Sequence, residues 1–188
     1  NAVNDGIKGR DSLVVKDGLI TVNASADGLQ ANNDEDPEKG YIVIEGGAIN
    51  ITAGLDGIQA ETNLLVSGGT LDIVTGGGSV PSVSVGGLAN PGSRGGRVEG
   101  NSNQTEDSIK GLKANVDLTI SGGEITISAL DDALHSNSTL TINRGVIEVA
   151  SGDDGVHAED TLTINGGILN IIQSYEGLES QIITINDG

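Results

Sequence analysis

Two histidines, His135 and His157, stand 22 residues apart, and each follows an aspartate, Asp132 or Asp154, by three positions. The interval runs on to Glu176 and Glu179. It runs back through Lys110 and, with two longer steps, to Asp56, Asp27 and Asp5. Carboxylates at a fixed interval are hard oxygen ligands of the kind calcium takes. Imidazoles at the same interval could share a transition ion, but the pair offers no clear third ligand. Ordinary surface histidines are therefore the expectation for both.

A fixed interval does chemistry only if the chain stacks it. Parallel strands lie about 4.8 Å apart. At that spacing Asp5, Asp27, Asp56, Asp132, Asp154 and Glu176 form one column, with Asp131 and Asp153 beside it. Neighbouring charges in such a column repel by about 1 kcal/mol in water and about 3–4 kcal/mol at an effective dielectric of 20. They need cations or raised pKa values. Lys110 falls in the same column as a built-in cation. The charge pattern predicts calcium (Ca2+) between adjacent coils, at Asp27 with Asp56 and at Asp131/Asp132 with Asp153/Asp154 and Glu176. Asp34 and Asp36, in an acidic insert over residues 33–39, would close the first of these sites. The competing reading is turn chemistry, in which each Asp-Gly carboxylate accepts nearby backbone N–H groups.

The elements that must hold this column are short strands. A repeat of 22 residues made of alternating apolar positions and glycine corners signals a β-solenoid. The expected fold is all-β, a right-handed parallel β-helix of about seven rungs with three short strands per rung, in one domain over residues 1–188. Alternation turns Ile58, Ala60, Leu64, Val66, Leu71 and Ile73 inward and Gln59, Glu61, Leu65 and Asp72 outward. The pair Gly68-Gly69 turns a corner, as do its equivalents along the chain. A second insert, over residues 76–107, is rich in Gly and Ser and reads as a linker, within which Ser82-Val83-Ser84-Val85 alternates like a strand.

Composition narrows the partners. The chain of 188 residues carries a formal net charge of −18, so phosphate-rich nucleic acids and anionic membranes are poor partners. No apolar run is long enough to span a membrane as a helix. There is no Cys, Met, Trp or Phe, so Ile, Leu, Val and Ala must fill a narrow core. The sequence begins with Asn1, which fits a mature or excised form.

Several strings resemble a known family. Asn4-Asp5-Gly6-Ile7-Lys8-Gly9-Arg10-Asp11, Asn33-Asp34-Glu35-Asp36, Asp131-Asp132-Ala133-Leu134-His135-Ser136 and Ser174-Tyr175-Glu176-Gly177-Leu178-Glu179 look like the bacterial carbohydrate-binding parallel β-helix family first described from a cellulolytic thermophilic clostridium. The resemblance implies a pectate-lyase-like fold, an extracellular or cell-surface location, bound calcium and affinity for acidic or cellulosic polysaccharide, without lyase activity.

The functional expectation is a non-catalytic protein that holds an acidic, polygalacturonate-like polysaccharide through calcium and the polar face of the first strand. Gln59, Glu61, Lys113, His135, His157 and Tyr175 are its candidate contacts. No catalytic residue stands out of the repeat; a calcium-dependent lyase would need Lys113, Lys110 or Arg144 as base. The rival expectation is a structural protein whose open ends associate end to end into extracellular fibres.

Overall fold

The structure, a computed structural model, describes residues 1–79 and 108–188. Those residues form eighteen strands and no α-helix. The first coil contains β1 (Ile7–Gly9), β2 (Ser12–Val15) and β3 (Leu19–Ala24). The next two contain β4 (Leu29–Ala31), β5 (Tyr41–Ile44) and β6 (Ala48–Ala53), then β7 (Ile58–Ala60), β8 (Leu64–Val66) and β9 (Thr70–Thr75). After the undescribed stretch come β10 (Leu112–Ala114), β11 (Asp117–Ile120) and β12 (Glu124–Ala129). They are followed by β13 (Leu134–Ser136), β14 (Thr139–Ile142) and β15 (Val146–Ser151). Last are β16 (Val156–Ile164), β17 (Ile168–Gln173) and β18 (Leu178–Ile185).

Each strand pairs in parallel with its counterpart in the adjacent coil. The third strands make a sheet of six in the order β17-β15-β12-β9-β6-β3. The first strands stack β1-β4-β7-β10-β13, the second strands β2-β5-β8-β11-β14, and β16 joins both series. This is a parallel solenoid. The undescribed residues interrupt nothing in the ladder: β7 pairs directly with β10, Gln59 opposite Lys113, and β9 with β12, Asp72 opposite Thr126.

One detail departs from three strands per coil. In β16 and β18 the first and second strands run together without a break. At Ser136 the corner is stapled: its Oγ lies 2.7 Å from the Val116 carbonyl oxygen and 2.9 Å from that of Thr139, its one proton serving either, and it accepts from Ser138 N–H. The equivalent places in the other coils are held by Gly9, Ala31, Ala60, Ala114, Ala158 and Ser180, so this staple does not decide where the strands merge.

The core follows the alternation. Ile58, Ala60, Leu64, Val66, Leu71 and Ile73 are all buried, as are their counterparts Leu112, Ala114, Leu118, Ile120, Ile125 and Ile127. Each large aliphatic side chain so buried contributes about 1.5–3 kcal/mol. Glycine has two separate uses here. A Cβ at Gly28 would lie 2.4 Å from Ile51 Cγ2 and 2.5 Å from the Gly57 carbonyl oxygen, so this coil admits no side chain there, whereas the Asp132 coil accommodates Ala133 at the equivalent place. Gly69 and Gly123 turn the later corner at φ of 95° and 98°, a left-handed conformation that favours glycine.

The second insert, with the Ser82–Val85 segment, lies outside the described residues apart from its first four positions. Within these, Ser79 N–H donates to Ser128 Oγ at 3.0 Å.

Candidate functional site

The column exists. Gly6 N–H donates to the Asp27 carbonyl, Gly28 to Asp56, Gly57 to Lys110, Gly111 to Asp132, Ala133 to Asp154 and Gly155 to Glu176. These backbone bonds hold the seven column positions in register along one edge.

Three of its six carboxylates accept a backbone N–H, in each case from the next coil. Asp27 Oδ1 accepts the Asp56 N–H at 3.0 Å, Asp56 Oδ1 accepts the Lys110 N–H at 2.8 Å, and Asp132 Oδ1 accepts the Asp154 N–H at 3.1 Å. The second oxygen usually faces the side chain three residues on. Lys8 Nζ lies 3.1 Å from Asp5 Oδ2, Gln30 Nε2 donates to Asp27 Oδ2, and His135 Nδ1 lies 2.8 Å from Asp132 Oδ2. Asp56 is reached from the next coil, with Lys113 Nζ 3.6 Å from its Oδ2. Asp27, Asp56 and Asp132 thus have protein partners on both oxygens.

Lys110 decides the chemistry of its coil. Its Nζ lies 2.6 Å from Asp131 Oδ2 and 2.9 Å from Asp132 Oδ2. The lysine thus acts as the built-in cation that the charge pattern expects at this place in the column. Burial works against both partners. For Asp132 it is outweighed by the His135 hydrogen bond and by Lys110, which hold the carboxyl well below its usual range. For Lys110 the Asp132 and Asp131 charges outweigh burial and raise its pKa, which favours its charged, ion-paired form.

The next coil has the same two aspartates without a lysine. Asp154 is buried, and its Oδ1 has no hydrogen-bond partner among the described residues. Burial, a hydrogen bond that its protonated form donates to Glu179 and the nearby Asp132 and Asp153 charges push its pKa up to about 8. Asp153 is also raised, by burial and by Asp132 and Asp131. In the second coil Asp27 is pushed up to about 6 by burial and the Asp56 charge.

The first-strand face differs from the open platform expected. Gln59 and His135 are only 8% and 7% exposed. Coils this closely spaced cover one another's outward side chains. Gln59 sits in register between Gln30 and Lys113. His135 is held between Asp132 and Asn137, whose Oδ1 is 2.7 Å from Nε2, with the His157 ring centroid 4.9 Å away. His135 is not a surface histidine, and neither it nor Gln59 is available to a polymer. His157 is half-buried, while Tyr175 and Glu176 are exposed at the edge.

The acidic insert also lies elsewhere than expected. Asp34 and Asp36 line a pocket of about 210 Å³ with Asn33, Pro37, Glu61 and Thr62, beyond the far end of β4 from Asp27. Asn33 Oδ1 accepts the Glu35 and Asp36 N–H groups and its Nδ2 donates to Asp11 at 2.6 Å, which fixes the loop. Asp36 accepts the Glu38 N–H and lies 3.8 Å from Lys39 Nζ. The side chains of Asp34 and Glu61 carry no hydrogen bond or ion pair among the described residues, while the Glu61 N–H donates to the Ala31 carbonyl.

A family model described as "carbohydrate-binding domain-containing protein" matches residues 1–155. The chain belongs to that carbohydrate-binding family. The matched stretch takes in the acidic insert and the column as far as Asp154. Searches of curated proteins and of solved structures returned no match. Membership in the family supports a polysaccharide partner and a binding role, and is compatible with an extracellular location. No helix among the described residues is long and apolar enough to cross a membrane.

Proposed function

We propose that this carbohydrate-binding protein holds an acidic polysaccharide outside the cell through calcium bound at the acidic insert. The observation that supports the reading is the oxygen-lined pocket of about 210 Å³ formed by Asn33, Asp34, Asp36, Glu61 and Thr62. Its donors are carboxylate, amide and hydroxyl oxygens, the set calcium prefers. Asp34 and Glu61 have no competing partner, unlike the column carboxylates. Calcium would supply positive charge that a chain of net charge −18 otherwise lacks towards an anionic sugar. Asp34, Asp36 and Glu61 would hold the ion, and the polymer's carboxylates would complete its shell. Tyr175, 72% exposed, offers an aromatic face to a sugar ring at the column edge, across the first-strand face from the insert. The reading carries with it a right-handed coil of about seven turns, as the resemblance implies.

Calorimetric titration of chelator-treated protein with polygalacturonate, with and without calcium, tests the reading. Binding is expected only with calcium, and Asp34→Asn with Glu61→Gln should weaken it by about tenfold or more. Calcium-independent binding, or binding unaffected by the double variant, would refute it.

A second reading, end-to-end association, is favoured by one observation. A pocket of about 440 Å³ at the last coil is lined by Ile164, Ile168, Leu169, Ile171, Leu178 and Ile185. Sedimentation analysis decides it: a concentration-independent monomer would exclude it.

A further inference from the structure

His157 faces a group of carboxylates that the column's turn chemistry leaves unsatisfied. Its Nδ1 lies 3.2 Å from Asp154 Oδ2, 3.5 Å from Glu179 Oε2 and 3.9 Å from Asp132 Oδ2. Asp132 is already held by Lys110 and His135, at 2.9 and 2.8 Å. Asp154 is different. Its side chain is 4% exposed, and its Oδ1 is buried without a hydrogen bond, where Asp27, Asp56 and Asp132 each accept the N–H of the next coil. One ligand atom each from Asp154, His157 and Glu179 lies within 4.8 Å of the others.

The geometry suits a small ion. Four ligands at about 2.0–2.1 Å around a tetrahedral centre stand about 3.3 Å apart. The distances of 3.2 and 3.5 Å from Nδ1 to the two carboxylates bracket that edge. The other ring nitrogen, Nε2, points towards Glu159 Oε1 at 3.8 Å. Metal-bound imidazoles commonly use such a carboxylate to fix ring orientation and tautomer. The imidazole also selects the metal class: nitrogen suits zinc and its neighbours, whereas calcium takes oxygen.

We propose that Asp154, His157 and Glu179 form a binding site for a divalent transition ion of the zinc class, with a fourth position open on the side where Glu179 is 50% exposed. The site is separate from the acidic insert. Two of its three ligands, His157 and Glu179, lie beyond the residues that the family model matches.

The test is calorimetric titration of chelator-stripped full chain with zinc alone, with the visible absorption of the cobalt-substituted protein as second readout. One ion per chain is expected, with a cobalt band typical of four-coordinate nitrogen and oxygen ligation. His157→Ala and Glu179→Gln should each weaken zinc by about tenfold or more. Asp72→Asn, on the outer face of β9, should leave it unchanged. Glu179 is half-exposed, so its variant should fold even if that of His157 does not. Absence of zinc binding, binding unchanged in both variants, or a cobalt spectrum insensitive to His157 would overturn the proposal. Polysaccharide binding enters neither readout, so the two proposals fail independently.

Discussion

The coil at Asp132 and the coil at Asp154 are near-copies, 22 residues apart in the chain and paired in register through His135 and His157. Each presents Asp-Asp followed by a histidine on the strand. One resolves its charge internally: Lys110 bridges Asp131 and Asp132, His135 bonds the latter, and the carboxyl stays ionised. The other has no lysine, faces Glu179, and contains a buried carboxylate with an unbonded oxygen. A repeat therefore sets geometry without setting chemistry. One residue in the column decides whether an edge position is neutralised by a built-in cation or left with a crowded, buried carboxyl.

The strongest way to break the contrast is to remove the lysine. Lys110→Met should destabilise the protein by about 3 kcal/mol, because it strands two carboxylates in a largely buried site. For a chain of this size that is a fall in thermal midpoint of about 6–12 °C. It should also make the first coil resemble the second, so that added divalent ions recover part of the loss.

Parallel Asp→Asn substitutions sharpen it. Asp132→Asn should cost about 2–3 kcal/mol, since Lys110 and His135 lose their shared acceptor charge. Asp154→Asn, measured with chelator at pH 8, should instead stabilise by about 1 kcal/mol by removing a crowded, buried carboxylate. Denaturant titration of the pair checks the signs. The same sign at both positions would show that the coils do not differ as described.

The smallest effect concerns pH. Asp27 has its carboxyl raised to about 6, so its protonated form is favoured in the folded state. That contribution is complete below the ordinary carboxyl range and is lost as pH rises through 6. The stability of the native protein relative to Asp27→Asn should therefore fall by about 1–2 kcal/mol between pH 4 and 7 and then level off. Asp132, whose carboxyl is lowered, has the opposite dependence: its contribution is present above the ordinary range and lost on further acidification.

Much of the fold was legible because the period is rigid. Once Gly57, Gly111 and Gly155 are aligned, the inward positions and the column follow, and the structure keeps them in register. The expected polar platform failed for a reason that alternation does not carry. It assigns Gln59 and His135 to the outside of the coil, but not how far the coils above and below cover them. The acidic insert could not be placed from sequence, because loop closure through Asn33 and Asp11 is set by tertiary contact. The third ligand beside His157 was in principle readable. Glu179 occupies the equivalent position one period later, and the register pairs the two. What the sequence could not show was that Asp154 lacks the N–H partner that Asp27, Asp56 and Asp132 have.

The exposed phenol ring at the edge has an optical consequence. With no tryptophan or phenylalanine, near-ultraviolet emission from this chain comes from Tyr41 and Tyr175 alone. Tyr175 directly precedes Glu176, and its N–H donates to the Asp153 carbonyl at 2.7 Å. Intrinsic fluorescence therefore reports, without any label, on two places, the start of β5 after the acidic insert and the last coil. In a Tyr41→Leu variant, changes in its intensity or quenching would follow ions and sugars arriving at the last coil alone.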